Sequence, residues 1–447
     1  MEETRHLVLM IADSLRYDSV WGQNDPMLPA LQSYSSTFHQ AYSAGCWTLP
    51  STASIFSGML PHEHQATTRS RGIDSEVKTL AAKLQRKGYR TIQLTANPVT
   101  THIFGLDRGF EKVERVWRSQ AGGRIPLTNL LVLLGKRRIR EKIIRGDFIT
   151  GKMTEDLQAG QSWIRSFGRH QFHRAHEILT DADRRGEKVF LFINLMETHF
   201  PYHISKKFRV LSHGIFNKIR EILSLYHMVN QSWLSDEKEY IEPKMLSVLR
   251  NRQRIAWEWF SEEIDTFSQS IVEDHPESVF IFTSDHGDNF GDEGWKYHFS
   301  NVTEAGNRVP LFIAGPDIPR RSKRRDPVSI QFLHQYLMRA AEGDTALDAL
   351  LREDLRPPVI ESYWYNKNGQ TLEKYQNDQF AFIHDGRRYA RNGNGWEAFD
   401  IGSYDSANVD SIPYDANPVY DLDFNREVRR QLISAYEDFQ QFSQRLN

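Results

Sequence analysis

The sequence predicts an α/β protein built on a doubly wound, mostly parallel sheet, with a smaller α+β subdomain at its C-terminal end. Three observations carry this. Short, continuous apolar runs recur along residues 1–345 and stop abruptly at polar residues. Helical patterns closed by glycine lie between those runs, and strands alternating with helices are the grammar of a sheet covered on both faces. Beyond about 345 the pattern changes to short alternating strands with Gly-rich turns, which reads as an antiparallel sheet.

The first run, Leu7–Ala12, ends at Asp13. The same pattern returns at Thr91–Thr95, Val189–Leu195, Val279–Phe282 and Val309–Ile313. Such runs suit strands with no wet face. Helices are predicted over Pro50–Ser57, stopped by Gly58, and over Glu76–Lys87, stopped by Gly88. Two stretches near 115–185 and 204–260 read as charge- and Trp-rich helical insertions in a larger domain, 1–345. The subdomain, 346–447, is expected to hold strands at Val359–Tyr365, Phe380–His384 and Arg388–Arg391, then a helix from about Arg426 to Arg445.

The formal net charge of −2 supplies no global field toward nucleic acid or an anionic membrane, so no nucleic-acid partner is expected. The single cysteine, Cys46, allows neither an intramolecular disulfide nor a thiolate metal cluster. The first apolar run is too short for a secretory core, and no stretch approaches the ~20 apolar residues of a membrane span. A cytoplasmic location is the resulting expectation. One segment bears on membranes: Leu130–Leu134 precedes the basic stretch Gly135–Lys142. It reads either as peripheral contact with an anionic surface through 130–142 or as a core helix followed by a solvated one. Oligomeric state is left open.

Ligands of doubly wound sheets sit at the carboxyl ends of the strands. Behind the first run stands Asp13-Ser14-Leu15-Arg16; behind the Val189 run, Met196-Glu197-Thr198-His199; behind the Val279 run, Thr283-Ser284-Asp285-His286-Gly287-Asp288. Asp13, Asp285 and His286, with a hydroxyl, offer the donors for one divalent ion that would lower the hydroxyl pKa and polarise an ester. A lone aspartate there equally caps a helix. Thr48, two residues before Pro50, also has two readings: a simple N-cap, or a nucleophile whose alkoxide and target anion are favoured by the helix N-terminus.

In their order along the chain these motifs resemble the sulfatase family of the alkaline-phosphatase superfamily. The residues concerned are Asp13; Thr48-Leu49-Pro50-Ser51 opening a helix that ends Ser57-Gly58-Met59-Leu60-Pro61-His62; Thr283–Asp288; and Arg308–Ile313. Smaller echoes are Gly88-Tyr89-Arg90-Thr91, Arg108-Gly109-Phe110 and Val419-Tyr420-Asp421-Leu422. The resemblance implies the sulfatase-type fold. It also implies one divalent metal (Mn, Zn, Ca or Mg) on Asp13, Asp285, His286 and Thr48, with Thr48 attacking sulfur or phosphorus to give a covalent ester. His199, in a His-x-Pro segment, is implied to contact the ester oxygens or protonate the leaving group, and Lys296 and His298 lie in the loop that supplies another basic group.

Several positions depart from the family pattern. Classical sulfatases carry Cys or Ser at the Thr48 position, oxidised to formylglycine in a Cys-x-Pro-x-Arg context; here that arginine is Thr52. Cys46 is not followed by Pro and Arg at the required spacings and reads as a small buried hydrophobe. Ser14 stands where many sulfatases have a second Asp, so one ion is expected, and mixed O/N ligation favours Mn or Zn over Ca. Threonine nucleophiles occur in the superfamily's phosphodiesterases, phosphonate hydrolases and phosphoglycerol or phosphoethanolamine transferases. The expected function is therefore hydrolysis of a phosphate or sulfate ester on a small molecule or on a glycan or lipid head group, leaning to phosphodiester or phosphonate. A head-group transferase, a true sulfuric ester hydrolase and a catalytically inert scaffold are the alternatives, and the intact Asp13, Thr48, Asp285, His286 set argues against the last.

Overall fold

The computed structural model describes residues 5–446 apart from 23–26, 71, 119–165, 204–242, 354–355, 364–374, 394, 402–408 and 413–415. The segment 130–142 and most of both expected insertions lie outside the described residues.

The apolar runs form the middle of one large sheet. β1 (His6–Ala12) lies between β5 (Lys188–Leu195) and β6 (Val279–Thr283), parallel to both, and every residue from Leu7 to Met10 is fully buried. β3 (Tyr89–Thr95) continues the parallel array beyond β5 and carries β4 (Lys112–Arg115) at the edge. On the other side, β9 (Arg308–Ala314) runs antiparallel to β6 and to β2 (Ser35–Tyr42). Short β10 (Ser322–Arg324) and β11 (Val328–Ser329) pair with β2. The Val309 run is thus the exception to the expected parallel pattern, because the unread strand β2 places β9 between two strands of the opposite direction.

Helices cover both faces. α1 (Thr48–Ser57) and α2 (Leu80–Arg86) pack on one side with α5 (Leu333–Ala340), around Leu49, Phe56, Leu84 and Leu337. α3 (Gly168–Arg185) and α4 (Pro243–Asp274) cover the other with Leu179, Trp257, Phe260 and Ile264. The described parts of the two expected insertions are therefore core helices. α2 begins at Leu80, four residues later than predicted, because Thr79 caps it by accepting from the Ala82 N–H. Gly58, at φ 76°, closes α1.

A second, five-stranded antiparallel sheet follows in meander order: β12 (Val359–Ser362), β13 (Gln379–His384), β14 (Arg387–Asn392), β15 (Gly395–Asp400) and β16 (Val409–Ile412). The last helix, α6 (Arg426–Leu446), lays Leu432, Tyr436, Phe439 and Phe442 against it. Among the described residues, no helix is long and apolar enough to cross a membrane.

Candidate active site

Because β9 alone is reversed among the described strands of the large sheet, β1, β2, β3, β5 and β6 all deliver their carboxyl ends to one edge. Asp13 follows β1, Thr48 starts α1 beyond β2, His199 follows β5, and Asp285 and His286 follow β6. The hairpin of β7 (Asn289–Phe290) and β8 (Lys296–Tyr297) then carries the chain from β6 toward β9.

Asp13, Asp285 and His286 are fully buried, and their donor atoms lie within 4.8 Å of one another. His286 Nε2 stands 3.6 Å from Asp13 Oδ1 and 3.5 Å from Asp285 Oδ2. Thr48 Oγ1 is 3.4 Å from both Asp13 Oδ2 and His286 Nε2. Thr48 is the first residue of α1, Trp47 holds the cap position, and neither side chain caps the helix. The capping reading of Thr48 is thereby overturned: its hydroxyl points among the acids, and Ser51 one residue past Pro50 donates to the Asp285 carbonyl at 2.5 Å.

Burial opposes every charge gathered here. It raises the Asp285 carboxyl well above the usual range, and the neighbouring Asp13 adds to this. Burial pulls Asp13 the same way, but the His199 and His286 imidazoles and the Asn97 amide overcome it and hold Asp13 low. Asp285 Oδ2 has no hydrogen-bond partner among the described residues. Two buried carboxylates sharing one imidazole, with one oxygen left over, match the donor set of a divalent cation. Asp13, Asp285, His286 and the Thr48 hydroxyl are the residues that fit it.

His199 is half-buried and donates from Nδ1 to the Phe200 carbonyl at 2.7 Å, leaving Nε2 for the site. The His298 ring lies 4.5 Å from that of His286 and 5.4 Å from that of His199. Burial drives its pKa well down, helped by those two imidazoles. Lys296 is half-buried in β8, where its backbone N–H donates to Tyr375; no described contact ties its ammonium to the cluster. Glu197 is turned toward the start of α3, where one carboxylate oxygen accepts from Ser166 and from the Phe167 and Gly168 N–H groups. Thr52 is buried one turn beyond Thr48, and Cys46 is buried with its sulfur 3.3 Å from Ser362 Oγ.

Sequence reading gave no site role to three groups. Asn97 Nδ2 donates to Asp13 Oδ2 at 2.6 Å and lies 3.4 Å from Thr48 Oγ1. Its signal was present, for it stands two residues past the Thr91–Thr95 run. Ser14, at φ 61°, donates its N–H to Asp285 Oδ1 and its hydroxyl to Asp13 Oδ1, each at 3.2 Å, so it braces the carboxylates. Asp288 is buried and holds Tyr202 and His298.

The sulfatase family model matches residues 5–343. The chain belongs to the sulfatase family. Among curated relatives it is 27% identical to a choline-sulfatase of Rhizobium meliloti over 66% of this chain and 58% of that protein. It is 20% identical to arylsulfatase K of Canis lupus familiaris over 80% and 67% respectively, so it spans about three fifths to two thirds of these relatives. Among solved structures, a phosphonate monoester hydrolase from Silicibacter pomeroyi superposes with TM-score 0.62 at 15% identity, covering 97% of this chain and 96% of that one. The lipoteichoic acid synthase LtaP from Listeria monocytogenes superposes at 0.57 and 13% identity, covering 100% and 93%. At these identities the sulfatase-family chain shares their fold.

Proposed function

We propose that this sulfatase-family chain is a metal-dependent hydrolase that opens phosphate or sulfate esters through a covalent ester of Thr48, and that phosphodiesters or phosphonate monoesters are its better substrates. One observation carries the reading: an unadorned threonine oxygen, 3.4 Å from Asp13 and from His286, at the start of a ten-residue helix. A divalent ion held by Asp13, Asp285, His286 and Thr48 would neutralise the ester oxygens and lower a hydroxyl pKa.

The chain's own groups supply the rest. The N-terminal end of α1 places its partial positive charge toward the anion that Thr48 attacks. Asn97 pins Asp13 and meets Thr48 from the other side, so the nucleophile is held between two elements. His199 and His298 bring basic nitrogens to the same edge, suited to protonating the leaving alcohol and to deprotonating the water that follows. No step is given to Lys296.

We extend the proposed substrates to glycan and lipid head-group esters, supported by the fold shared with a lipoteichoic acid synthase. The likeness to LtaP also favours a second reading, transfer of a phosphorylated head group to an alcohol. The test is a panel of aryl phosphate, phosphodiester, phosphonate and sulfate esters assayed on metal-stripped protein reloaded with Mn, Zn, Ca or Mg singly. Turnover restored by metal and abolished in Thr48→Ala is the expected result. Turnover unaffected by chelation, or retained by Thr48→Ala, contradicts the proposal; an added alcohol that captures the covalent Thr48 ester in place of water marks transfer.

A further inference from the structure

The hairpin β7–β8 begins just after Asp288 and ends just before His298, so it folds these two residues onto each other. His298 Nδ1 meets Asp288 Oδ1, and the other carboxylate oxygen accepts from the Tyr202 hydroxyl at 2.9 Å. All three side chains are buried. Arg16, itself paired with Asp18 and Asp292, donates to the Asp288 carbonyl at 2.7 Å and fixes the backbone there. A carboxylate that accepts Nδ1–H dictates the tautomer, leaving the lone pair on Nε2.

We propose that Asp288 is a positioning residue that fixes the orientation and tautomer of His298, and that His298 so held is the base that activates the water opening the Thr48 ester. This rests on the covalent Thr48 reading above. In the step, the water oxygen bonds to phosphorus while its proton passes to His298 Nε2. The phosphorus–Oγ bond breaks, and its electron pair returns to the Thr48 oxygen. His298 gives that proton to the alcohol oxygen of the next ester as Thr48 attacks again. One ester and one water thus become one alcohol and one acid. Among the described residues His199 has no such partner, and its Nδ1 leans on a neutral backbone carbonyl. The arrangement has the logic of a base oriented by a buried carboxylate.

The test uses Asp288→Asn in the metal-loaded full chain with a 4-nitrophenyl phosphonate ester. Nitrophenolate leaves without a proton, so Thr48 attack is spared and the opening step is slowed. We expect a burst of about one nitrophenolate per chain, then a steady rate lowered about 10²-fold, the usual weight of a general base. Intact-mass analysis should find the Thr48 adduct accumulating. The double variant Asp288→Asn/His298→Gln should be no slower than His298→Gln alone. A steady-rate loss with no burst and no adduct, or losses that multiply in the double variant, overturns the proposal. Tyr202→Phe, which removes one bond to the carboxylate, should give a smaller loss with the same burst and is the second probe if Asp288→Asn does not fold. Retained activity in Thr48→Ala would instead sink the covalent reading itself.

Discussion

Asp13 and Asp285 put two carboxylates into a fully buried space that holds one imidazole between them, and the opposite directions of their pKa shifts follow from who their neighbours are. A cation resolves that imbalance, so Asp285→Ala should lower bound metal per chain, read by elemental analysis, while circular dichroism stays native. Full metal content in that variant would remove the basis of the site. Asn97→Ala leaves the proposed ligands in place but removes the 2.6 Å bond to Asp13, and loss of such a supporting bond costs roughly 10–100-fold in metal affinity. Isothermal titration would show it; an unchanged affinity would mean that the Asn97 bond is incidental. Asp13, Asp285 and His286 were legible in the sequence because each stands within four residues of the end of an apolar run. The Asp288–His298 contact was not, because it exists only once the β7–β8 hairpin brings together two residues ten positions apart.

α1 shows how an element can be located correctly and still begin two residues before its expected start. The Pro50 and Gly58 signals located the helix, yet Thr48 proved to be its first residue and not its cap. Gly58 is required by geometry: at φ 76° a Cβ would also sit 3.0 Å from the His334 ring. Gly58→Ala should therefore destabilise the protein by about 1–2 kcal/mol, the cost of an L-residue held left-handed. A urea midpoint that fails to fall would show that the helix end relaxes freely. β2 was not legible, since Ser35-Ser36-Thr37-Phe38-His39-Gln40 has too many polar residues to read as a buried strand. Missing it hid the reversal of β9. By contrast, α6 was read almost to the residue, because Leu432, Tyr436, Phe439 and Phe442 repeat at helical spacing.

At the scale of the molecule, the two sheets are pinned together beside the helix that carries Thr48. His62 Nδ1 meets Glu361 Oε1 of β12 at 2.6 Å, and the His62 N–H and Tyr363 hydroxyl donate to Oε2 at 2.9 Å each. Burial lowers the His62 pKa, but the Glu361 carboxylate outweighs it and leaves the folded value above 6.5. The contribution of this pair is whole below that value and fades as pH rises through the raised one. Urea midpoints should therefore fall between mildly acid and mildly alkaline pH, and Glu361→Gln should flatten that fall; an equally steep fall in the variant would assign it elsewhere. The larger architecture was legible because strand–helix alternation survives even where individual registers do not.

The proposed preference is for phosphorus over sulfur, because a plain threonine has no formylglycine exit. A formylglycine hydrate lets a covalent sulfate collapse by elimination, whereas a threonine ester must be opened by water. Phosphorus presents more oxygen charge for a cation and nearby donors to clamp during that attack. Thr52 occupies the position where the formylglycine-dependent relatives place an arginine, and its hydroxyl is buried without a described partner. The decisive measurement is kcat/KM for a phosphodiester or phosphonate monoester against an aryl sulfate with the same leaving group, under the best metal. A higher value for the phosphorus ester is predicted, and a clear preference for the sulfate would contradict the account.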